Sequence, residues 1–473
     1  MTSSEKIVEA IRTCFYSRSL ALIGASEDPR KYGYMTLRSI LEAGFTGQVY
    51  PINPKGGEIM GLKVYPSLKE IPGTLDLAVI VVPAPFVPGV LREAAAKGAK
   101  GAIILSGGFR EAGRPDLEEE VNIIGRELGL RIMGPNIQGI NYLPNKLCAM
   151  FFPVITRKGP LAIVSQSGTI TAALAEWSAD EGLGISAAVN LGNQVDLGES
   201  DYIEFFAEDD STRAIVLYLE GNKDGHRFLE VIQRVSHRKP MAILKGGRTM
   251  MGQKAAASHT GSLAGRYEVF YAACRQYGVY AASDLQDLYD AAKALATLTP
   301  PQGNRVMMIT TSGGAGVLAS DEVDAKGLVF PPLPAELLER LKANNMPPLA
   351  VFSNPLDLVS IQAEYFERAV LAADRQDVAD VFLLGFGDPV AGGVEMVKRL
   401  SSQIRGGLVV AYLGGGAEEK SGRVRLHEAG IPVFPTPERA IRAISAVVRY
   451  SLFRRKSLTV SEGLEKRGRQ HFS

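Results

Sequence analysis

The chain has few cysteines, few histidines and no excess of either charge. Its 473 residues include three cysteines and five histidines, and 52 Lys and Arg residues are nearly balanced by 51 Asp and Glu residues. Cys14, Cys148 and Cys274 form no CxxC pair, which excludes a disulfide framework and a cysteine-built metal site and favours free buried thiols. The charge balance provides no field that would recruit nucleic acid or an anionic membrane. A small molecule or another protein is the expected partner.

Long apolar runs are missing as well. No uninterrupted stretch reaches the roughly 18 apolar residues that suggest a membrane span. The first 20 residues are interrupted by Glu5, Lys6, Glu9 and Arg12, unlike the apolar core of a signal peptide. We interpret this segment as a short amphipathic helix and expect a cytoplasmic protein.

Short runs rich in Val, Ile and Leu recur along the chain, each followed by a Gly/Ser/Pro turn and a helical pattern. This order is typical of parallel sheets flanked by helices, so an α/β fold is predicted throughout. Stretches beginning at Leu20, Leu161 and Val306 share the plan of strand, small-residue turn and helix, which indicates three sheets. The predicted divisions are a Rossmann-type domain over 1–150, a second domain over 151–300, a third over 301–455 and a polar, frayed tail over 456–473.

The first of these turns, "LIGASED", is suited to an anion. A strand that enters a glycine turn before a helix directs backbone N–H groups toward a bound phosphate. The next strand ends near Lys55 rather than near the carboxylate that holds the ribose of NAD. A lysine suits a ligand with a further ribose phosphate, as coenzyme A has. The alternative is that Gly24 makes only a tight turn and Lys55 is only solvated.

Two further strand ends carry polar residues. "VSQSG", residues 164–168, places hydroxyls, an amide and a glycine where a strand meets a helix, and "YLEG" ends a strand at Glu220. The first pattern predicts an anion cradle, or only an ordinary N-cap serine. The second predicts a carboxylate that can orient a histidine, or only a surface glutamate.

The stretch "AAASHTGSLAG", residues 255–265, surrounds His259 with small residues and is predicted to be a loop. The preceding glycines are not followed by Lys-Ser/Thr, so a P-loop is excluded. His259 is therefore either a reactive imidazole or an incidental residue in a mobile loop. The other histidines, for which solvent exposure is expected and no metal-ligand spacing exists, are His226, His237, His427 and His471.

The third domain contains "TTSGGAG", residues 310–316, and "FSNPLDL" with Asn354 and Asp357. Each could be a ligand loop or turn chemistry, and turn chemistry with an interface role is favoured slightly.

Six motifs occur in one order: "YPINPKG", "VPAPF", "GPN", "SQSG", "YLEG" and "AASHTGSLAG". Together they resemble the alpha subunit of ADP-forming acyl-CoA synthetases, in the succinyl-CoA synthetase superfamily. The resemblance implies three doubly wound α/β domains, of which the first is a Rossmann-type CoA-binding domain and the other two are flavodoxin-like.

The resemblance also implies roles for particular residues. Those assigned to CoA are Gly24, Ala25 and Ser26 at the phosphates, with Lys55, Pro83 and Asn136 lining the site. His259 would be phosphorylated transiently with Glu220 supporting it, and the phosphate would be received by Ser165, Gln166, Ser167 and Gly168. One departure follows "GPN", where many relatives have a small residue or cysteine and this chain has Ile137–Gln138.

The implied activity is that of an acid-thiol ligase: acid + CoA + ATP ⇌ acyl-CoA + ADP + phosphate. The chain has no Walker motif and no spare length for ATP-grasp domains, so a beta-type partner subunit is expected to bind ADP or ATP with Mg²⁺ in a hetero-oligomer. Two alternatives remain: an NAD(P)-dependent oxidoreductase, and a non-catalytic acyl-CoA sensor or scaffold.

Overall fold

The computed structural model describes the backbone of residues 2–260, 266–343 and 345–470, and the side chains of these residues except 3, 257–260 and 457–470. The chain forms two compact units. The first comprises Met1–Ala179, Gly184–Lys239 and Ile243–Ala273, and the second comprises Asp180–Leu183, Pro240–Ala242 and Cys274–Ser473.

The first helix is capped at its N-terminus, because the side-chain oxygens of Thr2 and Glu5 each accept a hydrogen bond from the backbone N–H of the other residue. The α-helices are α1 Ser3–Phe15, α2 Tyr32–Glu42, α3 Val87–Ala96, α4 Pro115–Leu128, α5 Gly168–Asp180, α6 Glu199–Glu208, α7 Gly225–Val235, α8 Met250–Thr260, α9 Tyr267–Gln276, α10 Leu285–Thr297, α11 Gly313–Lys326, α12 Ala335–Ala343, α13 Ala363–Arg375, α14 Gly393–Gln403, α15 Ala417–Glu428 and α16 Pro437–Gln470. Short 3₁₀ turns occupy Leu68–Glu70, Ala84–Phe86, Arg110–Ala112 and Leu143–Asn145.

Most of the strands are short and buried, as expected for sheets covered on both faces. They are β1 Ser19–Ile23, β2 Gln48–Ile52, β3 Glu58–Ile59, β4 Leu62–Lys63, β5 Leu77–Ile80, β6 Gly101–Ile104, β7 Arg131–Met133, β8 Gly139–Tyr142, β9 Leu147–Met150, β10 Lys158–Ser165, β11 Ile185–Asn190, β12 Ala214–Leu219, β13 Met241–Lys245, β14 Tyr280–Ala281, β15 Val306–Thr310, β16 Leu356–Asp357, β17 Val381–Phe386, β18 Gly407–Tyr412 and β19 Val433–Phe434.

The first sheet has the order β2-β1-β5-β6-β7, and all of its strands are parallel. Ile23 at the end of β1 pairs with Ile52 on one side and with Ile80 on the other. The carboxyl ends of these strands therefore form one edge of the sheet. The next strand in sequence, β2, lies on one side of β1, and β5, β6 and β7 follow on the other side.

Within the first unit, the second sheet has the order β12-β10-β11-β8-β9. Strands β10, β11 and β12 are parallel, whereas β8 and β9 form an antiparallel hairpin on the edge of β11. The hairpin, Gly139–Met150, lies within the predicted first domain, residues 1–150, yet it pairs with the second sheet. The division into domains at 150, 300 and 455 remains a prediction.

The third sheet lies in the second unit and has the parallel order β16-β15-β17-β18-β19. Each of the three predicted strand-turn-helix stretches thus begins in a strand of a different sheet, namely β1, β10 and β15. In the third sheet, Asn354 accepts from the N–H of Met308 at 3.0 Å and donates to the carbonyl of Val306 at 2.9 Å. These bonds to the backbone support the interpretation of "FSNPLDL" as turn chemistry.

Two predicted irregular segments are helical instead. The backbone of residues 255–260 lies in α8 rather than in a loop, because the alanines that precede His259 have the highest helix propensity of any residue. Residues 261–265 lie outside the described residues. Residues 456–470 of the predicted tail form the end of α16, a segment in which Lys, Arg, Glu and Leu are common, and residues 471–473 lie outside the described residues. Among the described residues, no helix is both long enough and apolar enough to cross a membrane.

All three cysteines are buried free thiols, as predicted. The prediction for the histidines is confirmed for His226 and His237, which are exposed, and is wrong for His427, which is only 3% exposed. His471 lies outside the described residues. His427 can be buried because both of its ring nitrogens have backbone partners: Nδ1 lies 2.8 Å from the carbonyl of Glu181, and Nε2 accepts from the N–H of Val433 at 3.0 Å.

This geometry requires a neutral imidazole, since Nε2 must keep a lone pair for Val433. Burial, together with the nearby ammonium of Lys293, lowers the pKa of His427 from its ordinary value of 6.5 to about 4. In the unfolded chain the same ring takes up its proton at about pH 6.5. The neutral, buried ring of His427 therefore contributes fully to the stability of the folded chain above pH 6.5. This contribution is lost as the pH falls toward 4.

We predict that His427→Gln, which cannot ionise in this range, removes that part of the pH dependence. The difference in the free energy of unfolding between wild type and variant should decrease by on the order of 3 kcal/mol from pH 7 to pH 4. Urea unfolding of both chains across this range measures the difference. A difference that does not change with pH would show that His427 is not neutral in the folded chain.

Candidate active site

The residues predicted for CoA lie at the carboxyl edge of the first sheet. Gly24 follows β1, Lys55 follows β2, Pro83 follows β5 and Asn136 follows β7. Parallel strands bring these loops to one side, which is the usual place for a ligand in this type of sheet. The structure therefore places the predicted CoA residues along one edge.

The turn after β1 is held closely by its neighbours. Gly24 has a φ of +98°, and a Cβ atom there would lie 2.7 Å from the carbonyl oxygen of Val81. The N–H groups of Gly24 and Ala25 both donate to the carbonyl of Ile52, at 3.1 and 3.2 Å. Because these two donors are used within the protein, a phosphate at this turn would meet the groups that follow, beginning with Ser26.

Lys55 and Pro83 are exposed, as is Asn136, which has a φ of +60°. The side chain of Asn53 joins two of the loops, since its Nδ2 donates to the carbonyl of Ala25 at 2.8 Å and its Oδ1 accepts from the N–H of Lys55 at 3.0 Å. Lys55 is thus fixed through its backbone, while its ammonium group has access to solvent.

A second polar edge is formed where β10 meets α5. Ser165 ends β10 and is fully buried; its Oγ accepts from the N–H of Ser167 at 3.1 Å and donates to the carbonyl of the same residue at 2.8 Å. α5 begins at Gly168, so the first N–H groups of this 13-residue helix have no carbonyl partner within it. A Cβ atom on Gly168 would lie 2.6 Å from Cγ of Gln138, the residue at which the sequence departs from the family motif.

Glu220 follows β12, the strand beside β10. Ser165 pairs directly with Tyr218, and the hydroxyl of Tyr218 donates to Oε1 of Glu220 at 3.3 Å. Glu220 is only 7% exposed, and its backbone carbonyl accepts from the ammonium group of Lys245. Burial, followed by the charge of Glu220, raises the pKa of Tyr218 to about 12, and burial lowers the pKa of Lys245. Two strand ends separated by more than 50 residues of sequence thus form one compact polar site.

Gln166 joins these two strand ends. Its Oε1 accepts from the N–H groups of Glu220 and Gly221, and its Nε2 donates to the carbonyl of Gly221 at 2.9 Å and to Oε1 of Gln194 at 3.3 Å. An amide has two acceptor and two donor sites, so all four are used. The side chain of Gln166 therefore holds Glu220 in position and offers no spare donor to a phosphate.

Comparison with known proteins identifies the family. Residues 18–143 match the model described as a CoA binding domain, and residues 158–295 match that of the succinyl-CoA ligase like flavodoxin domain. The chain is 42% identical over 461 residues to the alpha subunit of ADP-forming acetate–CoA ligase I of Pyrococcus furiosus, covering 94% of this chain and 99% of the relative. It is 37% identical to the ADP-forming acetate–CoA ligase of Methanocaldococcus jannaschii, covering 93% of this chain but 63% of that relative.

A solved structure agrees. The dinucleotide-forming acetyl-coenzyme A synthetase 1 of Ca. Korarchaeum cryptofilum, in complex with phosphate and ADP, superposes with a TM-score of 0.88 at 36% identity, covering 95% of this chain and 98% of that one. The chain belongs to the alpha-subunit family of the ADP-forming acyl-CoA synthetases. The predicted family and fold class are confirmed, and membership favours a ligase over the oxidoreductase alternative.

In this acyl-CoA synthetase alpha chain, the predicted phosphate-binding turn and Glu220 come together, whereas the predicted carrier can be placed only by its backbone. His259 lies in α8, and its side chain lies outside the described residues. Across the described residues, no three His, Cys, Asp or Glu side chains are grouped so as to hold a metal ion.

Sequence reasoning missed the loop between β11 and α6, which links the two polar edges. Asn193 accepts from Nδ2 of Asn136 at 3.3 Å, and the next residue, Gln194, accepts from Gln166. Lys223 Nζ donates to the carbonyls of Asn193 and Gln194, at 2.7 and 2.9 Å. A run of Gly, Asn and Gln is common in loops, so the sequence gives no signal that this loop joins the two polar edges.

We predict that Gln166→Glu destabilises the chain. The new carboxylate would lose both amide donors and face the carbonyl of Gly221, which should lower the free energy of unfolding by about 2–4 kcal/mol. Chemical denaturation at pH 7 measures this change. Gln233→Glu makes the same substitution at an exposed position on α7 and should change stability little. Equal effects of the two substitutions would contradict the assigned role of Gln166.

Proposed function

We propose that this chain is the CoA-binding, phosphohistidine-carrying subunit of an ADP-forming acyl-CoA synthetase, with His259 as the phosphoryl carrier. The observation that supports this most strongly is the meeting of the start of α5 and Glu220 at adjacent strand ends, in a chain whose relatives are ADP-forming acetate–CoA ligases. Phosphoryl transfer through an imidazole requires a site that binds the phosphoryl group beside a carboxylate that supports the ring.

In the first step, CoA lies along the edge formed by Gly24, Ser26, Lys55, Pro83 and Asn136, with its thioester directed toward α5. Inorganic phosphate, held at the start of α5, attacks the carbonyl carbon. A C–O bond forms between the carbonyl carbon and a phosphate oxygen, the C–S bond breaks, and the proton of hydrogen phosphate passes to CoA, which leaves as the thiol. The link from Asn136 to Asn193, and from the adjacent Gln194 to Gln166, supports the proposal that CoA and phosphate bind near each other.

In the second step, a neutral nitrogen of His259 attacks the phosphorus atom of the acyl phosphate. An N–P bond forms, the P–O bond breaks, and the acid leaves as its carboxylate. Glu220 would accept a hydrogen bond from the other ring nitrogen and balance the positive charge on the ring. The start of α5, at Gly168, would stabilise the bound phosphoryl group through its N–H groups and its dipole.

The phosphoryl group then passes to ADP, which we assign to a partner subunit. The chain spans 99% of the relative named as a subunit alpha, but 63% of the relative from Methanocaldococcus jannaschii, whose name mentions no subunit. We assign the remaining part of such a ligase to the expected beta-type, ATP-grasp partner, with ADP or ATP and Mg²⁺. We therefore propose a hetero-oligomer, and we retain the cytoplasmic location expected from the sequence as a proposal.

The test is to incubate the chain and its partner with acetyl-CoA and labelled phosphate. We expect wild type to acquire label that is stable in base and labile in acid, and His259→Ala to acquire none. His226→Ala changes an exposed histidine outside the site and serves as the matched control, with wild-type labelling expected. Labelling that survives His259→Ala would contradict the carrier role, and absence of label in wild type would favour a non-catalytic acyl-CoA sensor.

A further inference from the structure

We propose that Gln194 and Glu199 are positioning residues for the phosphoryl transfer, because together they orient the amide that holds Glu220. This inference rests on the proposed function. Gln166, Gln194 and Glu199 form a buried series of hydrogen bonds, named here the amide chain, whose direction is fixed at both ends.

The first end of the amide chain is fixed by the backbone. Gln166 accepts from the N–H of Gly221 at 3.0 Å and donates to the carbonyl of Gly221 at 2.9 Å. Backbone groups cannot exchange donor for acceptor. The Nε2 group of Gln166 must therefore face Gln194.

The second end is fixed by a carboxylate. Glu199 opens α6, is 6% exposed, and accepts from Nε2 of Gln194 at 2.8 Å and from Nδ2 of Asn222. Although burial raises the pKa of Glu199, both of its carboxyl oxygens accept here, one from each amide. Gln194 must therefore turn its NH₂ group to Glu199 and its oxygen to Gln166, which is the orientation that the backbone demands from the other end.

The backbone of Gln194 indicates that this arrangement is maintained at some cost. Gln194 has a φ of +53° and is only 7% exposed. A non-glycine residue in this conformation typically costs about 1–3 kcal/mol and persists where its surroundings enforce it. Here Lys223 binds the carbonyls of Asn193 and Gln194 and holds the loop so that the amide enters the site.

The experiment compares a broken amide chain with a reconnected one. Gln194→Met keeps the length of the side chain but removes both hydrogen bonds. The double variant Gln194→Glu/Glu199→Gln exchanges the two groups: the new carboxylate accepts from Gln166, and the new amide donates to that carboxylate and accepts from Asn222. Glu204→Gln is the matched control, since Glu204 is also buried on α6 but is paired with Arg234.

For each variant, with the partner subunit present, we measure the rate of histidine labelling from acetyl-CoA and labelled phosphate, and separately the affinity for CoA. Gln194→Met should slow labelling about tenfold or more, because Gln166 loses a buried partner. The double variant should be labelled at a rate within about threefold of wild type, because the exchanged groups restore the hydrogen bonds with slightly different geometry. Glu204→Gln should label at the wild-type rate per folded molecule, and CoA affinity should be unchanged in all three.

Rescue by the exchanged pair is an outcome that a general loss of stability cannot produce. If Gln194→Met labels as fast as wild type, or if the double variant binds CoA but labels no faster than Gln194→Met, the inference is wrong while the proposed function stands. If Gln194→Met does not fold, the double variant alone decides: a wild-type rate supports the inference, and a folded, CoA-binding but slow variant overturns it. A wild type that is never labelled overturns the proposed function and this inference with it.

Discussion

The candidate active site depends on the four hydrogen bonds made by the side chain of Gln166. Three of them join the end of β10 to the backbone just beyond β12 and the fourth goes to Gln194, so that the start of α5 and Glu220 are held side by side. A buried amide with every site used is stabilising, whereas the same amide with one partner missing costs about 1–3 kcal/mol. The geometry of the site is therefore tied to the stability of the first unit.

The shape of the turn itself is not special to the active site. In the third sheet, Oγ1 of Thr310 accepts from the N–H of Ser312 at 3.0 Å, as Ser165 does for Ser167 in the second sheet, and Ser312 caps α11. The middle residue differs. The side chain of Thr311 accepts one hydrogen bond, from the N–H of Gly387. The longer side chain of Gln166 makes four hydrogen bonds. The long amide is what converts an ordinary strand-to-helix turn into a support for Glu220.

Much of this arrangement follows from the sequence, because it depends on local patterns. Apolar runs ending in polar residues predict strand ends, and parallel strands bring Ser165 and Glu220 to one edge without knowledge of any contact. The amide chain could not be predicted, since it depends on a left-handed backbone at Gln194 and on contacts between segments distant in sequence. The burial of His427 was missed for the same reason: its charged neighbours in the sequence suggest solvent, while its backbone partner Glu181 lies 246 residues away.

The central claim is that a phosphoryl group passes through His259 beside Glu220 and the start of α5. The most direct measurement is to react the chain and its partner with acetyl-CoA and phosphate, stop the reaction in base, and locate the phosphoryl group by tandem mass spectrometry. We expect phosphate on His259, in an amount that falls sharply in Glu220→Gln. Phosphate on His226 or His237, or on His259 in equal amount without the Glu220 carboxylate, would contradict it.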